Sequence, residues 1–228
     1  RLCDVFDDEV NRIAQKRGSR AEALKRIEAD HACVRFYLPL RPQAAENQDT
    51  WHVIRSLTKN IGQELTSIIR QIVVHNPKLD GVVDTVDYNA TTKGQREIDD
   101  DRLSHLIEAL SQKRLGLEDV EPDIIGRSYE YLIRKFAENS GKSAGEFYTP
   151  KEIGMIMAHI MDVVPGMSVY DPTCGSAGLL IKCEIVLKEK QQKLGKKEYA
   201  PLQLFGQEYT TTSWAMAKMN TIIHDMEG

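Results

Sequence analysis

The sequence predicts an α-helical N-terminal domain followed by the first part of an α/β domain with a doubly wound sheet. Three observations carry this. Apolar residues recur at helical spacing through the first 140 positions. After residue 141 the order becomes short strand, Gly-rich bend, helix, strand, acid, helix. Hydrophobic residues make up 41% of the 228, enough to fill a buried core. The small polar stretch 138–145 places the boundary, giving domains 1–140 and 141–228.

Taken in order, Leu2, Val5, Phe6, Val10 and Ile13 define a first helix that Gly18 ends. Ser19 with Glu22 is a capping box for a second, which carries Leu24 and Ile27. Pro39 and Pro42 break the pattern, so 36–47 reads as a surface loop. Val53, Ile54, Leu57, Ile61, Leu65, Ile68, Ile69, Ile72 and Val73 predict one long helix, stopped at Asn76-Pro77. Residues 84–101 are polar and turn-rich. Leu103, Leu106, Ile107 and Leu110 mark the next helix, and Pro122 opens another.

In the second part, Thr149-Pro150-Lys151-Glu152 combines a capping box with proline at the first helical position. Ile153, Ile156, Met157, Ile160 and Met161 form the apolar face of that helix. A strand over 167–170 ends at Asp171, the bend runs from Cys174 to Gly178, and a helix follows. A second strand over 202–206 leads to Glu208, and a last helix spans about 212–224, with Trp214 and Met216 expected in the core. The lysines at 182, 188, 190, 193, 196 and 197 read as a solvated helix face.

Composition narrows the function. Thirty Lys and Arg against 34 Asp and Glu leave a net charge of −4, whereas a chain that gripped duplex DNA unaided would be basic. Any DNA contact is therefore local or shared with a partner. Cys3, Cys33, Cys174 and Cys183 lack C-x-x-C spacing and the histidines are scattered, so no metal site is expected. No apolar run approaches bilayer length and no signal peptide is evident, so a reduced, cytoplasmic protein away from membranes is expected.

The chemistry lies at the strand ends. The stretch Asp171-Pro172-Thr173-Cys174-Gly175-Ser176-Ala177-Gly178 sits at the carboxyl end of a strand, where open α/β sheets bind ligands. Glu208, ending the next strand, suits a pair of ribose hydroxyls. A dinucleotide site wants G-x-G-x-x-G, yet Asp171 precedes this bend and would repel a pyrophosphate. It favours the ammonium end of an amino-acid cofactor such as S-adenosylmethionine. Gly141-Lys142-Ser143 fails as a Walker loop because Phe136 stands where its glycine is needed.

Gly145-Glu146-Phe147-Tyr148-Thr149-Pro150, with the Asp171–Gly178 motif following, resembles the modification subunit of type I restriction-modification systems. Those proteins are S-adenosylmethionine-dependent DNA adenine-N6 methyltransferases. The resemblance covers essentially the whole chain, with residues 76–82 similar to part of the family's N-terminal domain. It implies a Rossmann-like methyltransferase domain. Glu146, Phe147, Tyr148, Thr149, Pro150 and Lys151 then form the loop over the methionine end of the cofactor. Asp171, Gly175, Ser176, Ala177 and Gly178 form the first cofactor motif, and Glu208 the ribose-binding acid. It also implies a specificity subunit, a second modification subunit, a restriction subunit and double-stranded DNA as partners.

One family element is absent. The tetrapeptide Asn-Pro-Pro-Phe, which activates the adenine amino group and stacks on the flipped base, does not occur in these residues. No catalytic residue is therefore assigned, and the chain is expected to be part of a longer subunit and inactive alone. Other readings are an S-adenosylmethionine-dependent methyltransferase acting on cytosine N4, RNA or a small molecule, and a non-catalytic assembly module.

Overall fold

The computed structural model describes residues 1–39, 49–120, 122–139 and 149–226, which fall into two units, Arg1–Glu121 and Pro122–Gly228.

In the first unit, α1 (Leu2–Arg17) packs on α2 (Arg20–Ala29). Gly18 ends α1 in the left-handed region at φ 98°, where its amide bonds the Ala14 carbonyl. Ser19 Oγ then accepts the Glu22 amide at 3.2 Å, starting α2 where the sequence places it. Asp7 is buried on α1. Its carboxylate accepts from Arg20 at 2.7 Å and from the Thr50 amide and hydroxyl at 2.6 and 3.0 Å. These bonds satisfy a buried charge and tie α1 to α2 and to the start of α3 (Trp51–Arg55).

The apolar series from 53 to 73 does not form one helix. It divides into α3 and α4 (Ile61–His75), with Asn60 left-handed at φ 51° between them. The polar Thr58-Lys59-Asn60 stretch supplies nothing to bury, and asparagine tolerates that conformation. Both helices bury apolar faces (Val53 and Ile54; Ile61, Ile68, Ile72 and Val73), so the periodicity hides the break. Asn76 stops α4 and pins the 36–38 segment. Its side chain accepts the Tyr37 amide at 2.9 Å and donates to the Tyr37 and Ile72 carbonyls at 2.7 and 2.6 Å. Residues 40–47 of the expected loop lie outside the described residues. The polar 84–101 stretch holds a small antiparallel hairpin, β1 (Thr91–Thr92) and β2 (Gln95–Arg96), before α5 (Asp100–Leu110).

The second unit runs α6 (Pro122–Asn139), α7 (Lys151–Met161), β3 (Ser168–Asp171), α8 (Gly178–Lys193), β4 (Gln203–Gly206) and α9 (Thr211–Ile223). β3 and β4 pair in parallel, Ser168 opposite Gln203 and Asp171 opposite Gly206, as strands joined through a crossover helix do. Val163, Val169, Leu180, Ile181, Leu187 and Leu202 lie in the core. The sequence placed α6 in the first domain, but the division falls after Glu121. Lys182 of α8 pairs with Glu130 of α6, and the Tyr129 hydroxyl lies 3.5 Å from the Met216 carbonyl of α9.

Several side chains depart from expectation. Pro150 is the N-cap of α7 and no side chain caps it, because the helix begins one residue too late for Thr149 to serve. The α7 residues Ile153, Ile156, Met157, Ile160 and Met161 are exposed, Ile160 at 77%, while Gly154 and Ala158 are buried. The small pair, one turn apart, is what lets α7 approach α8: a Cβ on Gly154 would stand 3.3 Å from Lys182 Cγ. Lys182 is only 5% exposed, so it leaves the solvated basic face, and Lys190 bonds Asp162 at 2.7 Å. Trp214 is exposed, with Lys218 Nζ 5.8 Å from its ring centroid, and only Met216 is half-buried.

Candidate cofactor-binding site

The parallel ladder continues into the bend. Beyond β3 the Asp171 carbonyl accepts the Gln207 amide at 2.9 Å, and the Cys174 amide donates to the Gln207 carbonyl at 2.9 Å. The ends of β3 and β4 are thereby stitched side by side. Asp171 Oδ1 accepts the Thr173 amide at 3.0 Å, the local turn that short acidic side chains favour. The bend reverses through Gly175 and Ala177, at φ 54° and 61°, with the Ala177 amide donating to the Cys174 carbonyl at 2.7 Å. Ala177 adopts a conformation that glycine takes more cheaply, and its buried methyl joins the core. Gly206 meets the bend at close quarters, since a Cβ there would lie 2.8 Å from Cys174 Sγ and 3.2 Å from Leu180 Cδ1.

Glu208 links the bend to the next helix. Its Oε2 accepts the Gly175 amide at 3.1 Å, while Oε1 accepts the Thr210 amide and hydroxyl at 2.8 and 3.1 Å. Thr210 Oγ1 in turn caps α9 by accepting the Ser213 amide at 3.3 Å. The Thr210 amide, followed by the Thr210 hydroxyl and the Gly175 and Tyr209 amides, holds the Glu208 carboxyl below the ordinary glutamate value. A carboxyl lowered on folding supports the bend above its ordinary range and withdraws that support as pH falls through the lowered value. Acidification through that window is therefore expected to release the Gly175 amide, seen as a fall in its hydrogen-exchange protection relative to the intrinsic rate at each pH. Glu208→Gln should abolish this pH dependence; an unchanged profile in the variant would count against the role.

Burial, followed by Asp171 and Glu208, pushes the Cys174 thiol up. A reactive thiolate is thus disfavoured, and Cys174 serves as a small residue that fits the turn. Asp171 and Glu208 thus both stand close enough to bear on the same thiol. The structure brings together Asp171, Gly175, Ser176, Ala177, Gly178 and Glu208. Thr149, Pro150 and Lys151 stand at the start of α7, and among the described residues no hydrogen bond joins them to the bend. Glu146, Phe147 and Tyr148 lie outside the described residues.

Three contributors were not foreseen: Gly206, Thr210 and Asn220. Asn220 on α9 is 0% exposed and donates from Nδ2 to the Ser176 carbonyl at 2.9 Å. Its signal was available, since Ser213, Ala217 and Asn220 are spaced along one buried helix face and Asn220 is its one amide.

Residues 1–110 match the HsdM N-terminal domain and residues 120–228 match the N-6 DNA methylase family. With the two in this order, the chain belongs to the modification subunits of type I restriction-modification systems. It is 31% identical over 194 residues to the type I restriction enzyme MjaIX methylase subunit of Methanocaldococcus jannaschii, covering 85% of this chain and 32% of that protein. To the MpnII methylase subunit of Mycoplasma pneumoniae it is 35% identical over 132 residues, 56% of this chain and 23% of that protein. Its fold is similar to a type I restriction-modification methyltransferase subunit from Streptococcus thermophilus, with a TM-score of 0.60 at 24% identity over 78% of this chain and 37% of that one. The chain thus spans about a third of the length of such relatives. No helix among the described residues is long and apolar enough to cross a membrane.

Proposed function

We propose that the chain supplies the helical domain and the cofactor-binding opening of a subunit that transfers a methyl group from S-adenosylmethionine to adenine N6 in double-stranded DNA. On this reading the second unit begins a Rossmann-like methyltransferase domain. A specificity subunit, a second modification subunit and a restriction subunit are the partners, and the assembly is cytoplasmic. The acidic balance of the chain suits a subunit that leaves sequence reading to its partner.

The observation that carries the reading is the pair of carboxylates flanking one open bend. A Cβ built on Gly175 meets nothing within 4 Å, so the bend faces free space that a ligand can approach. Asp171 there disfavours phosphate and favours a cation, which argues against the usual dinucleotide arrangement. When bound, S-adenosylmethionine supplies an electrophilic sulfonium methyl. Asp171, fixed by the Thr173 amide, would face the ammonium of the amino acid. Glu208 would take the ribose hydroxyls, sharing or exchanging its bonds to Gly175 and Thr210. The Glu146–Lys151 loop would close over the methionine end.

Calorimetry with S-adenosylmethionine tests this. Asp171→Ala and Glu208→Ala should each weaken binding about 10- to 100-fold, the scale of one lost hydrogen bond to a charged group. No binding by the parent would leave a non-catalytic assembly module instead, and equal affinity in parent and both variants would remove Asp171 and Glu208 from the site. Because Asn-Pro-Pro-Phe is absent, these 228 residues alone should transfer no methyl to duplex DNA. Radiolabelled transfer above background by them would refute that part.

A further inference from the structure

We infer that Asn220 is a positioning residue for the cofactor, acting through the peptide plane between Ser176 and Ala177; this rests on the reading of the bend as the cofactor site. An amide with no exposure is costly inside a core unless its polar atoms are bonded. Only one side of this amide is: Nδ2 donates to the Ser176 carbonyl, while Oδ1 has no partner among the described residues. An apolar side chain of similar volume would avoid the orphaned oxygen. The single bond to Ser176 therefore has to account for the amide.

That bond sits where it has most leverage. A trans peptide points its carbonyl and its N–H in opposite directions. The Ser176 carbonyl is held by Asn220 and the Ala177 amide by the Cys174 carbonyl at 2.7 Å. Both ends of one plane are fixed, in a segment whose flanking residues, Gly175 and Ala177, both have positive φ. Without Asn220 the plane is held on one side only and can rotate, relieving Ala177 of its left-handed conformation. The small residues would then no longer present the same surface. α9 grips the bend twice, through Asn220 in its third turn and through Thr210 and Glu208 at its start.

Asn220→Asp is the sharp test, because it keeps the shape but sets an acceptor against the Ser176 carbonyl. Asn220→Leu removes the bond and leaves an apolar group that keeps the packing. Calorimetry with S-adenosylmethionine on the intact protein, well below the melting temperature of every variant, should show affinity at least about tenfold weaker for each. The Ala177 amide resonance should move in both. Leu187→Ala, elsewhere in the same core, should lower the melting temperature comparably yet bind within about twofold of the parent. Affinity that tracks melting temperature across all three variants would make Asn220 merely structural and overturn the inference. If Asp171→Ala loses binding while both Asn220 variants bind like the parent, the inference alone falls. If Asp171→Ala also binds like the parent, the reading of the site falls and takes the inference with it.

Discussion

Lys182→Ala is expected to destabilise the second unit by about 3–5 kcal/mol, the cost of leaving one charge of a buried pair without its partner. Lys182 is almost wholly buried on α8, and its partner Glu130 on α6 is nearly so. Truncating the lysine strands a carboxylate in a region of low polarity, where water cannot replace the lost ammonium. Replacing both residues at once, as Glu130→Leu with Lys182→Met, removes both desolvation penalties and should come within about 1 kcal/mol of the parent. Urea unfolding of the two single variants and the double variant measures the difference. Single variants as stable as the double one would mean that the pair is solvated and that α6 is held by other contacts.

Gly62→Ala should cost the first unit about 2–3 kcal/mol, at the upper end for forcing atoms into a packed site. A Cβ there would overlap the Tyr88 carbonyl oxygen and stand 3.0 Å from its carbon, and backbone cannot rotate aside as a side chain can. The segment is held in place by Thr66, whose hydroxyl donates to the Gly62 carbonyl at 2.8 Å and accepts the Tyr88 amide at 3.0 Å. Moving Tyr88 away would therefore break a second bond. Gly94→Ala is the contrast: nothing lies within 4 Å of its added carbon, but φ is +78°, so the penalty is conformational and about 1 kcal/mol. Equal losses at the two positions would show that the 87–89 segment yields without cost.

What could be read from the residues was whatever local chemistry decides. Gly18 and Ser19 mark the junction of α1 and α2 because a left-handed stop and a hydroxyl cap act within one turn. The β3–α8–β4 order follows from spacing, and it brings Asp171 and Glu208 to neighbouring strand ends as anticipated. What could not be read was decided at a distance. The break at Asn60 is invisible because the apolar period runs on across it. Lys182 looked solvated until α6 supplied a carboxylate from 52 positions away. Asn220 joins the bend across 44 positions, and no local rule names its partner.

The outward row of Ile153, Ile156, Met157 and Ile160 on α7 has a bearing on handling the polypeptide in solution. Greasy surface of this kind makes molecules adhere, and only their mutual repulsion opposes it. With a formal charge of −4 at neutrality and an isoelectric point near 5.9, that repulsion vanishes in mildly acidic buffer. Purification and crystallisation trials of this polypeptide therefore have their widest margin against clumping on the alkaline side of neutral.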